Sequence, residues 1–270
     1  MNPIDKSQIS QLIDGFVSSF ENHINNIENI SIERSNTRRY RKILFVSVIE
    51  GLAKSRYPTK SPQDRFVKFV WQFGNWKFCD NISLPHLVSA LERTAAKQFD
   101  SLRDYVFIEL SKWETGGPVY LDKDPNISDI QSRWPKVNGS LMNIPCLKIK
   151  IQQLRHAELL YAYRNYLVHE SRQPTMGFDS EKDINPFYES EGSYYSTVGK
   201  QVSKFKLVYP SGFLCELSKT CLNNLKKHLI TNNKNPFDSF SFGDYLLEQL
   251  NDDDSFPVLK PFYGSRSNIA

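Results

Sequence analysis

The sequence predicts an all-α fold: a helical bundle with one small two-stranded β insertion between its last long helices. Apolar residues recur at steps of three and four over most of the 270 residues, which is the spacing of one helical face. Alternating apolar residues, typical of strands, are confined to a short stretch near residues 205–209. Because no change in composition marks a boundary, we predict a single domain covering residues 1–270.

Composition excludes several classes of protein. Hydrophobic residues make up 40% of the chain and aromatic residues 13%, so the chain can bury a substantial core and is not disordered. The net charge of +4 is too mild to indicate nucleic-acid binding by itself. The four cysteines form no CxxC pair and no histidine lies at zinc-finger spacing, so we expect no structural metal.

The start of the chain lacks the layout of a signal peptide, and no apolar run approaches the roughly twenty residues that span a membrane. We therefore expect a cytoplasmic protein that does not insert into membranes.

Four helices are predicted in the first half of the chain. Each shows an apolar stripe, and each start or stop coincides with a proline, a glycine or a capping residue. The fourth has the longest stripe and ends before Gly116-Gly117-Pro118. The predicted helices cover about residues 4–30, 38–57, 62–74 and 85–113.

The second half combines two further long helices with polar connections. Residues 116–145 are rich in turn residues and are predicted to form a loop or lid. Within it, the acidic run 122–129 lacks the glycine and the terminal Glu of a calcium loop, so we predict no metal there. The remaining predicted segments are a helix over about 147–172, an insertion over about 176–209, a helix from Ser211, a short helix over about 244–250 and a surface-lying tail over about 251–270.

Two groups of residues suggest ligand contacts, each with a simpler alternative. Arg38, Arg39, Arg41 and Lys42 crowd the start of the second helix, where the helix dipole disfavours positive charge. A phosphate or carboxylate partner would compensate them, and a solvated charge cluster is the alternative. Similarly, Trp71 and Trp76 could stack on nucleobases or pack in the core.

One stretch on the helix over 147–172 gathers chemically capable side chains: YAYRNYLVHE, residues 161–170. At about 100° per residue, Asn165 and His169 project from one side, with Tyr161 one turn earlier. Arg164 lies roughly 140° from His169 around the axis and interrupts the apolar series. Such a charge requires a partner: either a carboxylate of the same chain, or an interface where Arg164 and His169 of two subunits meet at one substrate phosphate.

Arginine and histidine together suit metal-independent RNA cleavage by the neighbouring 2′-hydroxyl. Histidine side chains exchange protons near neutral pH, so His169 could take the 2′-OH proton or give a proton to the leaving 5′-oxygen. Arg164 could stabilise charge on the phosphate oxygens, and Asn165 could orient the phosphate or the imidazole. This chemistry requires no cofactor.

The run Arg164-Asn165-Tyr166-Leu167-Val168-His169 resembles the Rx4-6H motif of the HEPN superfamily, and the helical pattern resembles its bundle in outline. The resemblance implies a metal-independent endoribonuclease acting on RNA, of a kind found in toxins and antiviral defence. It also implies a homodimer with a composite active site, in which Arg164 and His169 are catalytic and Asn165 is the polar residue after the arginine. As substrate-binding residues we predict Tyr161, Arg172, Arg38 and Arg39.

Two other interpretations remain open. A non-catalytic HEPN-like module would bind nucleotide, RNA or a protein partner through the same surface. A helical interaction protein with a coincidental motif predicts that Arg164 and His169 point apart. An antitoxin or another regulatory partner is a further candidate partner of the chain. The insertion over 176–209 is a candidate for partner or substrate contact, with solvated loop as the alternative.

Overall fold

The computed structural model describes residues 6–31, 36–145, 147–170, 183–195 and 201–238. In these ranges the chain is mostly helical, which confirms the prediction of a largely helical fold. The helices are α1 (Lys6–Glu28), α2 (Asn36–Arg56), α3 (Pro62–Phe73), α4 (Leu84–Glu92), α5 (Asp100–Ser111), α6 (Ile127–Arg133), α7 (His156–His169) and α8 (Ser211–Thr231). The strands are β1 (Val119–Tyr120), β2 (Lys136–Val137), β3 (Ser140–Leu141), β4 (Phe187–Tyr195) and β5 (Gln201–Val208).

Helix α2 lies at the centre of the bundle and contacts α1, α3, α7 and α8. Its side chains Val46, Ile49, Leu52 and Ala53 are fully buried, as the nearly continuous apolar run predicts. Burial of each large apolar side chain contributes about 1.5–3 kcal/mol. The central helix therefore fixes the positions of the helices around it.

Helix α3 shows how local sequence sets the ends of an element. The Ser61 hydroxyl accepts the backbone N–H of Asp64 at 3.2 Å, and Pro62 occupies the first turn. The helix stops at Gly74, where an added Cβ would lie 2.5 Å from the Val70 carbonyl oxygen. Both predicted ends of this helix are confirmed.

The long helix predicted over 85–113 is wrong, because the chain breaks into α4 and α5 around a 3₁₀ turn at Lys97–Phe99. The buried guanidinium of Arg103, on α5, donates to the Thr94 carbonyl at 2.9 Å and approaches that of Leu91 at 3.5 Å. The bond to Thr94 satisfies a carbonyl group just beyond the end of α4. The apolar stripe continues through the break, so periodicity does not reveal it.

The predicted helix over 147–172 begins too early, because α7 starts only at His156 after a 3₁₀ turn at Ile151–Leu154. Backbone pairing explains the late start: Ser83 N–H donates to the Leu154 carbonyl at 3.0 Å, and His156 N–H to the Asn81 carbonyl at 3.2 Å. An extended segment paired in this way cannot also be helical.

The β structure is larger than the predicted two-stranded insertion. The hairpin β4–β5 does lie between α7 and α8, but β1 adds a third strand in the antiparallel order β1-β4-β5, and β2–β3 form a separate pair. Residues 116–145, predicted as loop, therefore contain three strands and α6. The hairpin packs against the helices through Tyr188 and Phe205, whose rings each lie 5.1 Å from that of Trp113.

Several predicted features lie outside the described residues. They are Arg172, the first part of the insertion at 176–182, the short helix over 244–250 and the tail over 251–270. Among the described helices, none combines the length and the apolar character needed to cross a bilayer.

Candidate functional site

The motif occupies the C-terminal half of α7, which is buried on one side only. Ala157, Leu160, Tyr163 and Leu167 face the core, as expected for residues three and four apart. His169 is exposed in the last helical turn. This half of α7 is therefore anchored by its apolar face and presents its polar side chains at the surface.

The three motif side chains meet in one cluster. Arg164 Nη1 donates to Asn165 Oδ1 at 2.9 Å and lies 3.0 Å from His169 Nε2. The long arginine side chain thus spans the angular separation of roughly 140° between residues five apart. Because a guanidinium has only donors, His169 Nε2 accepts in this contact and the ring proton lies on Nδ1. Arg164 and His169 therefore point toward each other in the folded chain.

The carboxylate of Glu50, on α2, holds Arg164 from the other side. Arg164 Nη2 donates to Glu50 Oε2, while Arg65 Nη2, on α3, lies 3.3 Å from Glu50 Oε1. The three side chains are between 11% and 16% exposed, so the ion pairs are only partly screened by water. Arg164 therefore has a carboxylate partner within the same chain, as its burial requires.

Lys54 lies one helical turn after Glu50 and is a third cationic side chain in this region, beside Arg65 and Arg164. Its pKa is lowered by burial and by repulsion from Arg65, while the Glu50 carboxylate acts in the opposite direction. Glu50 therefore neutralises part of a cationic cluster that three helices form. Sequence reasoning did not identify Glu50, Lys54 or Arg65.

The predicted substrate-binding residues have different positions. Tyr161 is half-buried, with its ring 5.9 Å from the Arg164 guanidinium carbon and 5.6 Å from the Phe66 ring, so it packs beside the cluster. Arg38 and Arg39 are half-buried at the start of α2, eleven or more residues from Glu50, or about 17 Å along the helix axis. Arg38 and Arg39 share helix α2 with Glu50, but this helix does not bring them close to the motif.

Some residues of the basic cluster at the start of α2, and one of the two tryptophans, make contacts inside the folded chain. Arg41 donates to the Ile30 carbonyl at 2.8 Å, and Lys42 is fully buried with Nζ 3.4 Å from the Tyr163 hydroxyl. Trp76 packs among core rings, whereas Trp71 is 58% exposed and donates to Asp80 at 2.7 Å. Only Trp71 therefore offers an exposed ring face.

A second polar cluster, which sequence reasoning missed, joins the sheet to the helices. Asp124 is buried and accepts three donors: the backbone N–H of Leu84 at 2.9 Å, the Tyr188 hydroxyl at 2.6 Å and His156 Nε2 at 2.7 Å. The Tyr188 hydroxyl also lies 2.7 Å from Ser83 Oγ. Asp124 belongs to the acidic run that sequence reasoning had considered only as a metal loop.

The second cluster continues from Ser83 to His86, whose Nδ1 lies 2.7 Å from Ser83 Oγ. Burial and then the nearby Asp124 raise the pKa of Tyr188 well above its usual value, so its hydroxyl stays protonated. Burial and then the nearby His156 lower the pKa of His86 to about 4, so its ring is neutral at neutral pH. Asp124, His156, Tyr188 and Ser83 are fully buried, so their role is structural, whereas His86 is only partly buried.

Within the part of the chain that the structure describes, no group of three or more His, Cys, Asp or Glu side chains is placed to hold a metal ion. The thiols of Cys79, Cys215 and Cys221 are buried, and burial raises the pKa of each. These thiols are therefore protonated and unreactive at neutral pH.

Comparison with known proteins gives no relative: no protein-family model, no curated protein and no solved structure matches the chain at a significant level.

Proposed function

We propose that the protein is a metal-independent endoribonuclease of the HEPN type, with Arg164 and His169 as its catalytic residues. The observation that supports this best is the single cluster formed by Arg164, Asn165 and His169 at the exposed end of α7. An arginine, an amide and an imidazole in mutual contact suit phosphoryl transfer without a metal.

In the proposed reaction the RNA 2′-oxygen attacks the adjacent phosphorus and the bond from phosphorus to the 5′-oxygen breaks. One imidazole removes the 2′-hydroxyl proton and a second one protonates the 5′-oxygen, giving a 2′,3′-cyclic phosphate and a 5′-hydroxyl. Arg164 stabilises the charge on the phosphate oxygens, and Asn165 keeps the guanidinium oriented.

Binding of the phosphate also prepares the base. In the free protein Arg164 Nη1 occupies the lone pair of His169 Nε2. A phosphate oxygen is a stronger hydrogen-bond acceptor for a guanidinium than a neutral imidazole is. Arg164 therefore exchanges its contact with His169 for one with the bound phosphate, and His169 Nε2 becomes available to accept a proton. Glu50 keeps Nη2 in place during this exchange.

A second histidine must come from a second copy of the chain. The acid and the base act in different protonation states, and the motif supplies one imidazole per chain. His169 and Tyr166 are exposed on the same part of α7, so two such helices can approach across a two-fold axis. We therefore propose a homodimer with a composite site, acting as a toxin or an antiviral defence effector in the cell.

The test is cleavage of RNA by the purified protein in the presence of EDTA. The wild-type chain is expected to leave 2′,3′-cyclic phosphate ends, and His169→Ala and Arg164→Ala to lose at least ~100-fold in rate. His23→Ala, which removes an exposed histidine from α1, is the matched control and keeps full activity. Cleavage that persists in His169→Ala would falsify the mechanism.

One observation favours a second candidate function, a non-catalytic module that binds RNA or nucleotide. Both terminal nitrogens of Arg164 already have partners in the same chain, so the cluster is stable without substrate. This function predicts that RNA raises the melting temperature of the wild-type chain while no cleavage occurs under any condition. Expression of such a module would leave cell growth unchanged, whereas expression of an active toxin would arrest it.

A further inference from the structure

A groove of about 510 Å³ lies between α4 and the β4–β5 hairpin and shares no residue with the motif cluster. Its apolar wall includes Val88, Leu110 and Phe205. Its charged and titratable lining consists of His86, Glu92, Glu191 and Lys204, besides the Tyr194 hydroxyl. A groove with an apolar wall and a few polar groups is the usual form of a small-ligand site.

Glu92 is a carboxylate of this groove without an ion-pair partner among the described residues. Its Oε2 accepts the Tyr194 hydroxyl at 2.7 Å, whereas its Oε1 is buried and has no hydrogen-bond partner among the described residues. Glu191, the other carboxylate of the groove, forms ion pairs with Lys204 and Lys206. A buried carboxylate oxygen without a donor is costly, so Glu92 Oε1 is the place for a cationic donor from outside the chain.

His86 adds an acceptor to the same groove. Asp124 Oδ2 accepts from His156 Nε2 and from the Tyr188 hydroxyl, which has a single proton to donate. The Tyr188 oxygen then accepts from Ser83, and Ser83 Oγ accepts from His86 Nδ1–H. His86 therefore keeps its proton on Nδ1, and Nε2 carries a lone pair. Because its pKa is lowered to about 4, the ring is uncharged at neutral pH and does not repel a cation.

We propose that this groove binds a primary alkylammonium group, whose N–H donors meet Glu92 Oε1 while His86 Nε2 accepts a further donor of the same ligand. The methylene chain of the ligand packs along Val88 and Leu110. An ammonium fits better than a guanidinium, because Tyr194 occupies the second oxygen of Glu92 and prevents the two parallel bonds that a guanidinium prefers. This site goes beyond the proposed nuclease function and does not depend on Arg164 or His169.

The first test compares 1-pentylamine with 1-pentanol by calorimetric titration of the full chain at neutral pH. Pentylamine is expected to bind and pentanol, which lacks the charge, to bind at least ~10-fold more weakly. Glu92→Gln should weaken pentylamine binding by a similar factor. The matched control Glu114→Gln removes an exposed carboxylate outside the groove and should leave binding unchanged.

A second variant tests the geometry without removing the charge. Tyr194→Phe frees Glu92 Oε2, so 1-pentylguanidine, which carries a guanidinium and no ammonium, should gain affinity relative to pentylamine. This readout remains informative if Glu92→Gln does not fold.

The source of the ammonium is distinguished by comparing spermidine with Nα-acetyl-lysine methylamide. Stronger binding of spermidine identifies a free polyamine, and stronger binding of the lysine derivative identifies a lysine side chain of a partner polypeptide. Equal binding of pentylamine and pentanol, or equal weakening by Glu92→Gln and Glu114→Gln, would overturn the proposal.

Discussion

At the residue scale, Glu50 is the side chain on which the geometry of Arg164 depends. In Glu50→Gln the carboxylate charge is lost, and Arg164 and Arg65 remain close together with 11% and 13% of their side chains exposed. We expect the free energy of unfolding to fall by about 1–3 kcal/mol, less than for a fully buried pair because water reaches these groups. RNA cleavage should fall as well, since Arg164 loses its fixed orientation.

The matched control for Glu50 is Glu158→Gln. Glu158 also joins α3 to α7, accepting Gln63 at 2.8 Å and Arg155 at 3.1 Å, and Arg155 retains Asp80 when Glu158 is changed. Its loss should therefore cost less than about 1 kcal/mol and leave cleavage unchanged. Urea unfolding and the cleavage assay measure both effects, and equal behaviour of the two variants would show that Glu50 has no special role.

Glu50 also illustrates why part of the site could not be predicted from sequence. Arg164, Asn165 and His169 share one helix, so their spacing indicates that they are near each other. Glu50 lies 114 residues from Arg164 along the chain, and only the packing of α2 against α7 brings the two together. The sequence indicated that Arg164 requires a partner, whereas the identity of that partner is a property of the tertiary fold.

At the scale of elements, helical periodicity predicted α1, α2, α3 and α8 well, because each has an apolar stripe with clear end signals. Periodicity did not predict helix ends that are determined by long-range contacts. The buried Arg103 satisfies a carbonyl group at the break between α4 and α5, and pairing with residues 81–83 delays the start of α7. Neither contact leaves a local pattern in the sequence.

Tyr188 is one of the side chains that attach the sheet to the helices, and it leads to a prediction at this scale. Tyr188→Phe removes the hydroxyl that donates to Asp124 and lies 2.7 Å from Ser83. We expect the free energy of unfolding to fall by about 1–3 kcal/mol, because buried polar groups lose a partner. Tyr195→Phe changes a residue of the same strand that is 77% exposed, and should change stability by less than about 0.5 kcal/mol. Urea denaturation compares the two; equal shifts would mean that the buried hydroxyl contributes nothing.

At the scale of the whole molecule, the chain supplies one histidine to the motif cluster although it contains five. His156 is buried in the second cluster, and His86 lines the groove beside the hairpin. His23 lies on α1, and His228 on α8 contacts the Phe73 ring at 5.5 Å. The proposed acid and base therefore require two copies of His169, so dimerisation is part of the proposed reaction.

This requirement predicts how activity responds to mixing. When wild-type and His169→Ala chains are refolded together at constant total concentration, a site that needs both histidines forms only in wild-type pairs. Cleavage should then follow the square of the wild-type fraction, and an equal mixture should retain about a quarter of the full rate. Mixing with His23→Ala should leave the rate unchanged. A rate proportional to the wild-type fraction would instead show that each chain holds a complete site, and that Arg164 and a single His169 suffice for cleavage.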